Sequence, residues 1–134
     1  MSIFSSPHFL RRVLWVDAAS CLASGALQLA SLDALPRLLG LPEGLLLETG
    51  MFLVAYALLA GWIASRPETS RRWVAVFALG NVAWAIGCGV VIATLAPAAL
   101  GVAWVAAQAA TVLVLADLQW MGLRHSREGR AALA

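Results

Sequence analysis

Four apolar stretches, Val13–Leu32, Leu45–Ser65, Trp73–Leu95 and Ala98–Leu123, fill most of this chain. A helix rises about 1.5 Å per residue, so about 20 apolar residues cross the roughly 30 Å hydrocarbon core of a bilayer. Each stretch reaches that length. Lipid offers no partner to a backbone N–H or C=O, so an isolated span must satisfy its own hydrogen bonds as a helix. The expected fold is all-α: a polytopic membrane protein with four transmembrane helices in an up-down-up-down bundle. Short loops favour antiparallel neighbours. A single domain is expected over 1–134, because the short remaining segments leave no room for a second.

Composition agrees. The chain is 62% hydrophobic and 12% charged, against about 25% charged residues in soluble domains. Too few polar side chains remain to clothe a water-facing surface, so the lipid bilayer is the implied partner. The net charge of +2 gives no reason to expect nucleic-acid binding.

All nine basic residues are Arg, and their placement is uneven. Arg11 and Arg12 precede the first span. Arg66, Arg71 and Arg72 lie between the second and third, and Arg124, Arg127 and Arg130 follow the fourth. Only Arg37 lies in the first interhelical loop. Arg-rich short loops stay in the cytoplasm. Both termini are therefore expected inside the inner membrane of a bacterium, with the 33–44 and 95–98 loops outside. Ala19-Ser20-Cys21 is a poor lipoprotein cleavage site, because Asp17 interrupts the apolar run and Ala18 precedes it; the first span is expected to be retained.

Pro36, Pro42, Pro67 and Pro97 mark the breaks, and Ser70 is placed to cap the third span. Leu35–Leu41 is expected to form a short interfacial helix, and the tail after Leu123 to fray. Small residues recur at four-residue spacing, as in Ala57 and Gly61, Ala83 and Gly87, and Ala85 and Gly89, a pattern that lets helices approach closely in lipid. Trp15, Trp62, Trp73, Trp104 and Trp120 lie toward span ends, as an aromatic belt requires; Trp84 is mid-membrane.

Polar residues within spans need partners and carry whatever function is legible. Counting inward from each terminal-side Arg at about 1.5 Å per residue gives two layers. The inner holds Asp17, Asp117 and Gln119 at about 7–10 Å. The outer holds Gln28, Gln108 and Cys88 at about 24 Å and Glu48 at about 27 Å. Asn81 and Tyr56 fall between. Asp17, Cys21, Ser24 and Gln28 share one helical stripe, as do Gln108, Thr111, Leu115 and Gln119. The inner layer is expected to lock the helices through Arg12, Arg72 or Arg124; the rival reading is a paired-carboxylate proton or cation site. Glu48 is either a first-turn carboxylate beside Arg37 or the ionisable group of a binding pocket with Gln28 and Gln108. Asn81 suits interhelical hydrogen bonding, or, with Tyr56 and Trp84, a pocket wall. Cys21 and Cys88 differ in depth by about 10 Å, more than a disulfide spans. His8 and His125 lack a metal-ligand spacing. No metal, cofactor or catalytic set is expected, and no phosphate loop or nucleophile elbow is present.

The Arg-led first span, the loop Leu38-Leu39-Gly40-Leu41-Pro42 and the acidic opening Glu48-Thr49-Gly50 make the first half resemble small bacterial four-span proteins of the DoxX-like type. The resemblance implies an accessory redox or quinone-linked role centred on Glu48. The leading expectation is a non-enzymatic accessory subunit or small-molecule or lipid binder, alone as a homo-oligomer or within a larger membrane complex. A proton-coupled transporter acting as a homo-oligomer is the alternative, and a lipid- or quinone-modifying enzyme the third.

Overall fold

The computed structural model describes residues 3–133. A single 3-10 turn at Ile3–Ser5 leads into five helices: α1 (Pro7–Ala30), α2 (Leu35–Leu39), α3 (Glu43–Ala64), α4 (Arg71–Leu95) and α5 (Ala99–Leu133). There is no strand among the described residues. The fold is all-α, and α1, α3, α4 and α5 are each long and apolar enough to cross a membrane.

Local chemistry explains the ends. α1 starts at Pro7, earlier than the apolar run, because the Ser6 side chain accepts from the His8 N–H at 3.3 Å and proline occupies the first turn. A short helix does form in this loop, but α2 ends at Leu39, closed by Gly40 in the left-handed region at φ 64°. Ser70 occupies the N-cap position of α4, but its side chain makes no capping bond. The tail expected to fray is instead the last part of α5, helical to Leu133. Its Arg and Ala residues are good helix formers, and His125 pairs with Glu128 one turn on at 3.3 Å.

The long helices alternate in direction. α1 packs along α3, α4 packs along α5, and α1 against α5 joins the two pairs. α1 and α3 approach closely where Gly25 faces Gly50: a Cβ on Gly25 would lie 2.9 Å from the Gly50 carbonyl. These glycines carry the close packing that the small-residue spacing placed elsewhere, since a Cβ on Gly87 or Gly89 would meet nothing within 4 Å. α3 and α4 meet chiefly through side chains, with Tyr56 edge-on to Phe77 at 5.0 Å and Phe52 stacked on Trp84 at 5.6 Å.

One core cluster, including Leu14, Ala60, Val74 and Phe77, fills the half nearer the termini; another, around Leu39, Leu46, Cys88 and Val105, fills the half nearer α2. The α2 end is clamped shut. The Ala98 N–H donates to the Leu39 carbonyl at 3.0 Å, and Gly101 lies so close beneath that carbonyl that a side chain there would collide with it. Leu58, Leu79, Ile86 and Val90 face outward, as lipid contact requires. Trp15, Trp62, Trp73 and Trp120 are exposed toward the termini-bearing end. Trp104 is not: it packs into the α2-end cluster, because its helix turns it toward α4 and the loop before α3.

Candidate functional site

The weak α3–α4 seam leaves a cavity of about 620 Å³. All four long helices line it, and its exposed rim is formed by Glu48 and Phe52 of α3 with Ala83 and Gly87 of α4. It therefore opens sideways, toward the space lipid would fill. Its walls are mostly apolar, with Phe52, Trp84 and Trp104 prominent.

Two hydrogen-bonded groups border it. Nearer α2, the Trp84 indole N–H donates to Gln108 Oε1 at 3.3 Å, and Gln108 Nε2 donates to Gln28 Oε1 at 3.2 Å. Gln28 Nε2 donates to the Leu46 carbonyl at 3.1 Å and to Thr49 Oγ1 at 3.0 Å. The Thr49 hydroxyl donates onward to the Leu45 carbonyl at 2.6 Å. One chain of bonds thus runs from α4 through α5 and α1 to α3. Gln28, 2% exposed, can be buried because its amide oxygen and nitrogen are both paired.

Nearer the termini, Asp17 is fully buried. Its Oδ2 accepts from Asn81 Nδ2 at 2.9 Å and from Gln119 Nε2 at 2.8 Å, and the Cys21 thiol donates to Oδ1 at 3.6 Å. Asn81 Nδ2 also lies 3.3 Å from Gln119 Oε1. The Tyr56 hydroxyl lies 3.3 Å from the Phe77 carbonyl and 3.5 Å from Asn81 Oδ1, both acceptors. Cys21, Tyr56 and Asn81 reach the cavity wall, with Asp17 behind them.

Several expectations need correction. Asp17 meets amides and a thiol rather than Arg12, Arg72 or Arg124. Arg71 and Arg11 spend their side chains on the Leu123 and Ala64 carbonyls, at 2.6 and 2.8 Å. Asp117 is exposed and does not join Asp17, because two residues along a helix turn it away from Gln119. The inner group is therefore Asp17, Gln119 and Asn81, drawn from α1, α5 and α4. Thr111 is exposed and bonds the Ala107 carbonyl; Val112 takes its place on the inward stripe. Glu48 is on the rim, exposed, without a hydrogen bond to Gln28, Gln108 or Arg37 among the described residues. Its neighbour Thr49, turned about 100° around α3, makes the contact to Gln28. Gln28, Gln108, Asn81, Tyr56 and Trp84 do come together around one cavity.

The lining's ionisable groups are Glu48, Tyr56, Cys21 and Cys88. Among the described residues no three His, Cys, Asp or Glu side chains converge as metal ligands would. Apolar walls with a few fixed amides and an indole N–H can hold and orient a molecule with one polar end. Comparison with protein-family models, with curated proteins and with solved structures finds no match.

Proposed function

We propose that this small integral membrane protein binds an amphipathic molecule, a lipid or a small hydrophobic compound, taken laterally from the bilayer through the α3–α4 opening. The carrying observation is the side-opening cavity of about 620 Å³, within the roughly 300–1,000 Å³ range of small-molecule sites. Aromatic walls receive the apolar part. The Gln28–Gln108–Trp84 chain and the Glu48 rim meet the polar end. The Arg distribution supports a bacterial cytoplasmic membrane with both termini inside, which places the opening in the outer leaflet. In this reading the protein acts as a binder, or as an accessory subunit presenting its ligand to a partner. Kinship with DoxX-like four-span proteins belongs to the same proposal and would favour a quinone-like ring.

The test is native mass spectrometry and solvent extraction of protein purified in mild detergent. The expected result is one amphipathic molecule per chain, lost in Gly87→Leu, where a Cβ meets nothing within 4 Å and the rest of the side chain stands at the rim of the cavity. Retention of the same molecule in both proteins, or of none in either, contradicts the proposal.

A second reading, a proton-coupled transporter, is favoured by one observation: a buried carboxylate, Asp17, directly behind the cavity wall. Intramembrane carboxylates commonly mark proton or ion paths. Proton flux in liposomes that disappears in Asp17→Asn would establish it, and flux indistinguishable from empty vesicles would remove it.

A further inference from the structure

At the termini-bearing end a second cleft, about 390 Å³, lies between the start of α4 and the latter part of α5. Arg71, Arg72, Arg124 and Arg127 converge on it, with Ala75, Trp120 and Leu123 completing the wall. None of the four guanidinium groups has a carboxylate partner among the described residues, where the one ion pair is His125–Glu128. Four unpaired cations in one cleft repel each other unless an anion sits among them.

The cleft is built rather than incidental. Arg71 Nη2 is anchored on the Leu123 carbonyl at 2.6 Å. That bond fixes the guanidinium, leaving Nη1 buried with no hydrogen-bond partner among the described residues. A buried, unpaired guanidinium nitrogen is costly and calls for an acceptor. The first turn of α4 adds backbone N–H groups that the Ser70 side chain does not cap, and a helix N-terminus favours negative charge. Trp120, about half exposed at 53%, stands beside the cleft as headgroup-level indoles do.

We propose that this cleft binds the phosphate of an anionic phospholipid. Phosphate oxygens match the planar forks of Arg, and basic pockets between transmembrane helices suit such headgroups. Arg71 supplies the inner positive charge of the lining, and Arg72, Arg124 and Arg127 close around the exposed side. The site is separate from the α3–α4 cavity, so neither proposal depends on the other.

The test measures Tm of the full chain in neutral detergent with phosphatidylglycerol, phosphatidylcholine or inorganic phosphate. Phosphatidylglycerol is expected to raise Tm by several degrees, with phosphatidylcholine and inorganic phosphate leaving it unchanged. The double variant Arg124→Gln/Arg127→Gln should lose most of the rise, since both side chains are exposed and have no hydrogen-bond or carboxylate partner among the described residues. Arg72→Gln gives an independent second comparison. Arg12→Gln, on α1 outside the cleft, should keep the full rise, separating the cleft from general surface charge. Equal shifts with both lipids, or a full shift in both cleft variants, overturn the proposal. A shift reproduced by inorganic phosphate alone would reassign the cleft to free phosphate and overturn the lipid assignment. Counting phosphatidylglycerol molecules retained in native mass spectra gives the same comparison if a variant's unfolding is too weak to follow.

Discussion

Asn81 Nδ2 donates to Asp17 Oδ2 at 2.9 Å, joining α4 to α1 across 64 residues of chain. These two helices are not among the closely packed pairs, so this polar contact does what backbone packing does elsewhere. Gln119 reaches the same oxygen from α5 at 2.8 Å. One carboxylate oxygen thus ties three helices beside the cavity, and α3 joins the group through the Tyr56 hydroxyl.

Removing that carboxylate should therefore destabilise the whole assembly. Asp17→Leu leaves Gln119 Nε2 without its acceptor and takes one of two from Asn81 Nδ2, and buried unpaired polar groups cost about 1–3 kcal/mol. Asp117→Asn, on the exposed face, should change stability by less than about 0.5 kcal/mol. Reversible unfolding in mixed micelles checks both, and equal losses would show that the two carboxylates act together after all.

Gln108 should matter to both fold and ligand. Gln108→Leu removes two interhelical bonds, each worth about 0.6 kcal/mol in membrane proteins, so a loss near 1 kcal/mol is expected. If an amphipathic molecule co-purifies as proposed, its retention should fall well below that of the parent chain. Unchanged retention would place the polar end of the ligand elsewhere.

The clamp at the α2 end gives a backbone test. Gly101→Ala pushes a methyl into the Leu39 carbonyl, and overpacking of this kind costs about 1–3 kcal/mol. Hydrogen exchange should rise across residues 35–41. Gly89→Ala, where a Cβ meets open space, should be neutral or stabilising by up to about 1 kcal/mol through helix propensity.

Orientation can be read with reporter fusions. A fusion following Ala134, which lies outside the described residues, should report the cytoplasm, and one within the 33–44 loop should report the outside. The reverse pattern would move the cavity opening to the inner leaflet.

Much of the fold was legible because it follows from length and hydropathy: four apolar runs become four long helices whatever their packing. Depth counting also brought Gln28 and Gln108 to one level, and they are bonded at 3.2 Å. It failed where azimuth rather than depth decides. Asp117 and Gln119 are two residues apart, yet only Gln119 turns inward. Glu48 and Thr49 are adjacent, yet Thr49 makes the polar contact. Asn81 was placed about 6 Å deeper than Asp17 by the standard rise, and side-chain reach and helix packing close that gap. The α3–α4 opening was not legible at all, because it depends on which antiparallel pairs pack tightly. Gly25 and Gly50 were the available signal for one such pair, as glycines in helix interiors.

An amphipathic molecule that enters sideways must lie among the inward residues of α4 and α5. A photoactivatable diazirine fatty acid in proteoliposomes, followed by peptide mapping, tests this placement most directly. Label is expected on Cys88, Trp104 and Val105, which line the cavity, with that label lost in Gly87→Leu. Label confined to the outward residues Leu58, Leu79 and Ile86, and unchanged in the variant, would contradict it.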